Sequence, residues 1–209
     1  MSILNQMAHL QGRRDEVPNQ LLARRLVDLN DKTGIQEVAD NLWHADKNIQ
    51  ADCIKVLYEI GYLDPTLIAD YVEEFLKLLS SKNNRMVWGA MTALAAIAAL
   101  QADVLAKNIG QIQQAMRRGS VITVDHAISV LSAIAASSDK QRKAVFPLLL
   151  KHLADCRAKE VPQHAERTLV AVNRTNKAAF VDVLNSRLAE FTPSQAARIR
   201  KVLLQVEAI

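Results

Sequence analysis

Leu57, Leu94, Leu131, Leu169 and Leu203 recur at steps of 37, 37, 38 and 34 residues, and this period constrains the chain more than any single motif in it. Four positions before each leucine stand Cys53, Ala90, Ala127, Ala165 and Ile199, mostly small. Three positions after each stand Ile60, Ile97, Ile134, Val172 and Val206, always aliphatic. Small then large at helical spacing lets one helix nestle against the next. A second apolar series, Val38, Phe75, Ile112, Leu149 and Leu184, precedes the leucines by 19, 19, 19, 20 and 19 residues. Each period therefore carries two helices, which bury their apolar faces only by stacking on the neighbouring pair. The expected pairs run over about 34–61, 65–100, 103–136, 139–174 and 176–207.

The composition agrees with helices throughout. Half of the residues are hydrophobic but only 4% are aromatic, with just 6 Gly and 5 Pro. Ala, Leu, Val and Ile supply the apolar content, which favours helices joined by short turns over a sheet protein. The stretch Met86 to Leu100, MVWGAMTALAAIAAL, has Thr92 as its one conventionally polar side chain. A helix apolar on every side is buried on every side. This stretch is shorter than the roughly 17–25 apolar residues of a membrane span, so it reads as the innermost helix of the stack.

Residues 1–33 stand outside the period and read as an N-terminal helical cap. Ile3, Leu4, Met7 and Leu10 form a one-sided stripe, interrupted by Gly12 to Asp15. Pro18 fits the first turn of a further helix carrying Leu22, Leu26 and Leu29 on one face. Asp64 before Pro65, Asp103, Asp139 and Asn176 are expected N-caps of successive pairs. Pro147 falls inside a helix and is expected to kink it. The N-terminus lacks the basic-then-apolar order of a secretory signal. Cys53 and Cys156 make no disulfide framework and have no CxxC spacing, so reduced thiols in a cytoplasmic protein are expected.

Val145 to Leu153 (VFPLLLKHL) with the helix through Leu169, and Phe75 to Leu79 (FLKLL) running into Val87 and Leu94, resemble HEAT repeats. The resemblance covers about residues 34–207. It implies an all-α, right-handed α-α superhelix, a HEAT-like or armadillo-like solenoid of about five helix pairs, with 34–209 as one continuous domain behind the cap. HEAT repeats usually carry an Asp–Arg ladder; here the ladder's Arg positions hold Ala51, Trp88, Asp125, Gln163 and Ala197, so the ladder is absent.

In such a solenoid the second helices line a concave binding surface. Positions six before, two before and one after each repeat leucine point toward it. This places Lys55, Tyr58, Trp88, Thr92, Asp125, Ser129, Ser132, Gln163, Arg167 and Lys201 along an expected partner-binding groove. Tyr58 and Trp88 are its natural anchors, because large amphipathic aromatics dominate interface energy. A separate rim of basic residues gathers at the turns within pairs: Lys47, Lys82, Arg85, Arg117, Arg118, Arg157 and Lys159. The overall charge of +4 is compatible with an anionic partner without demanding one.

Asp52, Glu59, Asp70, Glu73 and Glu74 read as solvated helix faces. His126 and His164 hold equivalent positions but lack a third ligand, and neither cysteine reads as having a histidine base nearby in sequence, so neither a metal nor a cofactor is expected. No phosphate-binding Gly-rich loop, nucleophile elbow or other catalytic motif is present. The expected function is a non-catalytic scaffold offering its groove to a protein or peptide, with no membrane association. The alternative is a nucleic-acid-binding protein using the basic rim. In its enzymatic form that alternative resembles HEAT-like DNA-alkylation glycosylases, with Trp88 and Asp125 as the pair that would hold a damaged nucleotide.

Overall fold

A computed structural model describes residues 2–209, whose regular elements are all helices joined by turns, with no strand among them. After a short 3-10 turn (Ile3–Gln6), the helices are α1 (Val17–Asp28), α2 (Lys32–Asp40), α3 (Lys47–Leu63), α4 (Val72–Leu78) and α5 (Asn84–Ile97). Then follow α6 (Ala102–Lys107), α7 (Ile109–Arg118), α8 (Val121–Ser137), α9 (Asp139–Asp155), α10 (Val161–Thr168), α11 (Lys177–Ser186) and α12 (Pro193–Glu207). The chain forms two compact units, 1–127 and 128–209, and the division falls inside α8. No helix of the described residues is long and apolar enough to cross a membrane.

The helix pairing follows the period of the sequence. The five first-helix positions Val38, Phe75, Ile112, Leu149 and Leu184 are all fully buried. So are Cys53, Ala90, Ala127, Ala165 and Ile199 in the second helices. In the first unit α3 packs on α2 and on α5, and α4 packs on α5. A Cβ at Gly89 would stand 2.7 Å from Ile54 Cγ1, and one at Gly61 would stand 2.9 Å from the Ala96 Cβ. The α3–α5 approach is thus closer than side chains at those two points would permit. In the second unit α9 packs on α11, and α10 on α12.

Helix α5 begins two residues before the apolar stretch Met86 to Leu100 and covers it as far as Ile97. Met86, Ala90, Met91, Ala93, Leu94 and Ile97 are buried, Trp88 is half-buried, and Leu100 beyond the helix end is exposed. The stretch is therefore not buried on every side.

Several local expectations are corrected. Leu10 and Leu29 lie in solvent: the first follows the 3-10 turn rather than a full helix, and the second is the C-cap of α1. Asp64 does cap the turn after α3, its side chain accepting from the Thr66 N–H at 2.9 Å. The cap of α6, however, is Gln101 and that of α9 is Ser138, whose hydroxyl accepts from the Gln141 N–H. Asp103 and Asp139 sit instead in the first turns, where their charge complements the helix dipole. Asn176 stands at the cap position of α11, but its side chain accepts from the Asn173 N–H and donates to the Ala171 carbonyl. Helix α9 continues through Pro147 as one element.

The N-terminal segment is fastened to α3 by buried polar groups. Asn19 is fully buried; its side chain accepts from the Ala8 N–H at 2.9 Å and donates to Asp52 Oδ1 at 2.8 Å. The other Asp52 oxygen accepts from the His9 N–H at 2.8 Å. Asp52 is thus a buried structural acceptor, where the sequence suggested a solvated face; the backbone of residues 8–9 covers it. Met7 is buried, and the Cys53 thiol points at its sulfur, 3.9 Å away.

Candidate binding face

Lys55, Tyr58, Glu59 and Tyr62 stand at i, i+3, i+4 and i+7 of α3 and so share one stripe of that helix. Tyr58 meets Tyr62 edge-on with ring centroids 5.9 Å apart, and it meets Trp88 of α5 in a tilted arrangement, also at 5.9 Å. Such pairs contribute about 0.5–1.5 kcal/mol beyond the area they bury. Tyr62 is more than half exposed and Trp88 partly so, while Tyr58 lies buried between them. Gly89 of α5 sits against Ile54 of α3, and this close approach lets Tyr58 meet Trp88 across the two helices.

The polar frame of this surface is an ion-pair cluster. Lys55 Nζ lies 2.8 Å from a Glu16 carboxylate oxygen, 2.7 Å from Glu59 Oε1 and 4.9 Å from the centre of the Tyr58 ring. Arg85 adds a second cation to Glu16 at 3.1 Å. Burial works against the Lys55 charge, but the hydrogen bonds to Glu16 and Glu59 outweigh it and raise its pKa. Burial likewise raises the Tyr58 pKa, opposed by the hydrogen bond to Lys55, so the phenol stays neutral at physiological pH.

Of the expected groove residues in the first unit, Lys55, Tyr58 and Thr92 are buried. Glu16, at the start of α1, reaches Lys55, and the Thr92 hydroxyl donates to the Trp88 carbonyl at 2.8 Å. Trp88 and Asp125 are half-buried. Glu16 and Tyr62 belong to the face, although the sequence reading did not mark them. Tyr62 was recoverable from its seven-residue spacing to Lys55; Glu16 gave no local signal. In the second unit, Arg167 donates to Ser129 Oγ at 2.6 Å, Gln163 is half-buried and Lys201 is exposed. Ser132, also expected to face the groove, is fully buried.

The basic residues fall into two kinds. Lys47, Lys82, Arg117, Arg118 and Lys159 are exposed. Arg85 and Arg157 are already paired, with Glu16 and Glu160. The Arg157 guanidinium holds the Glu160 carboxyl below its ordinary range. Lys82 and Arg118, with Ser81, Asn84, Gln111 and Gln114, line a polar cleft of about 250 Å³ in the first unit.

One side-chain group in the second unit has the donors of a metal site. His152 in the last turn of α9, Cys156 at its C-cap and His164 of α10 bring their ligand atoms within 4.8 Å of one another. Cys156 is thus flanked by two histidines, contrary to the sequence reading that gave neither cysteine a nearby histidine. His164 arrives from the following helix and is fully buried. The second histidine, His152, was readable from its four-residue spacing to Cys156.

No family profile matches this sequence, and no curated protein does. Among solved structures, the chain is similar over its whole length to the crystal structure of an engineered protein, at 21% identity with a TM-score of 0.67, covering 98% of that chain. It is also similar to a designed armadillo repeat protein in complex with peptide (KR)4, at 15% identity and a TM-score of 0.68, with 97% of this chain and 99% of that one covered. A third likeness, at 15% identity and a TM-score of 0.67, is to computationally designed armadillo repeat proteins for modular peptide recognition, with 97% and 98% covered. The chain has a HEAT/armadillo-like helical-repeat fold.

Proposed function

We propose that this protein is a non-catalytic binding scaffold whose aromatic face on α3 and α5 takes up a segment of a protein or peptide partner. The observation that carries this reading is the Tyr58–Tyr62–Trp88 cluster. Aromatic rings remain partly open to solvent there while the ion pairs of Lys55, Glu16, Glu59 and Arg85 hold their surroundings in place. Rings fixed before binding lose little freedom on complex formation, which is how a modest surface gives useful affinity. The peptide recognition named for the similar designed repeat proteins supports the same use of the fold.

The test is selection of binders from a random-peptide display library, followed by titration against variants. Trp88→Ala and Tyr62→Ala should each weaken the selected binders by about tenfold or more, as truncation of an interface anchor does. Binders whose affinity survives both substitutions would place the partner elsewhere.

A second reading rests on the cleft lined by Lys82 and Arg118, whose exposed cations and neutral donors suit a nucleic-acid phosphate. Its binding would be sequence-independent and would weaken steeply with salt. Fluorescence polarisation of a labelled duplex over a salt series tests it. The charge-reversed pair Arg117→Glu and Arg118→Glu should abolish the signal, and absence of binding at low salt removes the reading.

A further inference from the structure

The His152–Cys156–His164 group has a geometry that an ordinary buried histidine does not need. His152 and Cys156 are one helical turn apart, and the turn that joins them is closed by a Cys156 N–H to His152 carbonyl bond of 2.8 Å. This fixes the imidazole and the thiol on the same side of the end of α9. His164 approaches from α10, fully buried, and its Nδ1 lies 2.9 Å from His152 Nε2. The two rings are tilted at 52° with centroids 4.8 Å apart. They therefore meet nitrogen to nitrogen rather than stacking face to face.

The backbone around the thiol is held from a third helix turn. Arg187 follows α11 and is itself buried; its Nη1 donates to the Leu153 carbonyl at 2.7 Å and to the Cys156 carbonyl at 2.6 Å. The same nitrogen stands 4.0 Å from Cys156 Sγ, and Glu190 takes the other side of the guanidinium. Burial holds the Cys156 thiol above its ordinary range, and the Arg187 cation acts against that burial. Carbonyl clamps of this kind also keep the ligand-bearing turn from unwinding.

From this geometry we infer that His152, Cys156 and His164 form a divalent-metal site selective for zinc, with an open fourth position. Two imidazoles and a thiolate are the borderline-soft donor set that zinc prefers over magnesium or calcium. Zinc bonds of about 2.0–2.1 Å to nitrogen and 2.3 Å to sulfur separate tetrahedral ligand atoms by roughly 3.3–3.6 Å. The present separations, from 2.9 Å to within 4.8 Å, bracket that value, so small side-chain rotations bring all three atoms into range. When the metal enters, the proton shared by the two histidines moves to an outer ring nitrogen, so each imidazole binds neutral, and the thiol proton is released. His152 and Cys156 are half-exposed while His164 is buried, so metal and fourth ligand enter from the solvent side. Three protein ligands with the fourth place left to water or an incoming group is the pattern of a zinc site that binds something further.

Tag-free full-length protein titrated with Co²⁺ reads the site directly. Tetrahedral cobalt bound through a thiolate gives an intense visible ligand-field spectrum and a sulfur-to-metal charge-transfer band in the near ultraviolet. One equivalent of Zn²⁺ should abolish both, and Zn²⁺ titrated calorimetrically should bind one to one. Cys156→Ser should remove the charge-transfer band and weaken zinc binding by about 100-fold or more, and His152→Asn should weaken it comparably. Cys53→Ser and His126→Asn should leave both unchanged, which also separates site loss from general unfolding. Absence of stoichiometric binding would overturn the inference, and so would equal binding by the Cys156→Ser and His152→Asn variants. His164→Asn is the less informative variant because that ring is fully buried; circular dichroism of each protein guards against misfolding.

Discussion

Residues 1–127 bury Asn19, Asp52 and Lys55 inside networks where each donor meets an oxygen, whereas residues 128–209 bury a histidine against a second histidine beside a thiol. The apolar register also changes within the second unit, between its first repeat leucine and the last two. The repeat leucines Leu57, Leu94 and Leu131 are buried, but Leu169 and Leu203 are only half so. Their flanking positions Ala165, Val172, Ile199 and Val206 stay buried. In the last two pairs the core contact has moved off the leucine and onto the small and aliphatic residues on either side. Helix α10 is short and passes into a 3-10 turn at Leu169–Ala171, which rotates that leucine away from the core. The first three pairs thus rely on the large side chain at the repeat position, Leu131 of the second unit included, and the last two on its neighbours.

Two substitutions at one repeat position break or sharpen that contrast most strongly. Leu94→Ala removes a fully buried side chain and should cost about 2–5 kcal/mol. Leu203→Ala removes a half-exposed one and should cost less than about 1.5 kcal/mol. Urea unfolding of both variants checks this; equal losses would mean that the two registers are the same.

The buried networks come next in size. Asn19→Ala deprives the Ala8 N–H and one Asp52 oxygen of their partner together, for an expected loss of about 1–3 kcal/mol. Hydrogen exchange should show residues 2–9 loosening first, since Asn19 and Asp52 are what fasten them. Alkaline titration gives a further, smaller effect with a definite sign. Burial, and then the Asp52 charge, pushes the Cys53 thiol up to about 12, and the Glu16 and Glu59 contacts raise Lys55. In both groups the folded state holds its proton more tightly than the unfolded chain, whose thiol titrates near 9.0. Their contribution is therefore complete below about pH 9 and is lost as pH rises toward 12. Cys53→Ala should make that alkaline decline shallower; an unchanged slope would show that the thiol is not held as buried as its contacts require.

The pairing of helices was legible because its signal is repeated. Five apolar first-helix positions at a near-constant interval are all fully buried, so Val38 through Leu184 could be placed without any tertiary information. The candidate face was legible only in part. Trp88 follows from its offset to Leu94, but the same rule placed Lys55, Tyr58 and Thr92 along an open groove, and all three are buried. It missed the segment before α1, whose Glu16 returns across 39 residues of chain to the Lys55 ammonium (55 − 16). Periodicity reports which side of a helix is apolar and carries no information about a partner so distant in sequence. The His152–Cys156–His164 group failed for a related reason. His164 was compared with its repeat equivalent His126 and His152 was not weighed, while the ligand atoms converge across the turn within a single pair.

The two thiols offer the finest test of the contrast between the units. Cys53 is fully buried against Met7, and its raised pKa leaves almost no thiolate at neutral pH, so a thiol reagent reaches it only after α3 is uncovered. Cys156 is only half-buried, at the end of α9; burial raises its pKa too, but the Arg187 charge acts in the opposite direction. Treatment of the native protein with an aromatic disulfide at neutral pH should therefore modify one thiol in a first phase, with Cys53 following at the rate of unfolding. Peptide mapping should assign the first phase to Cys156, the Cys156→Ser variant should lack it, and in denaturant the two rates should converge. Zn²⁺ at one equivalent should slow the first phase and leave the second untouched. A native protein in which Cys53 reacts first would mean that the N-terminal segment does not stay closed over α3, and the buried Asn19–Asp52 network would then be the part of the description to abandon.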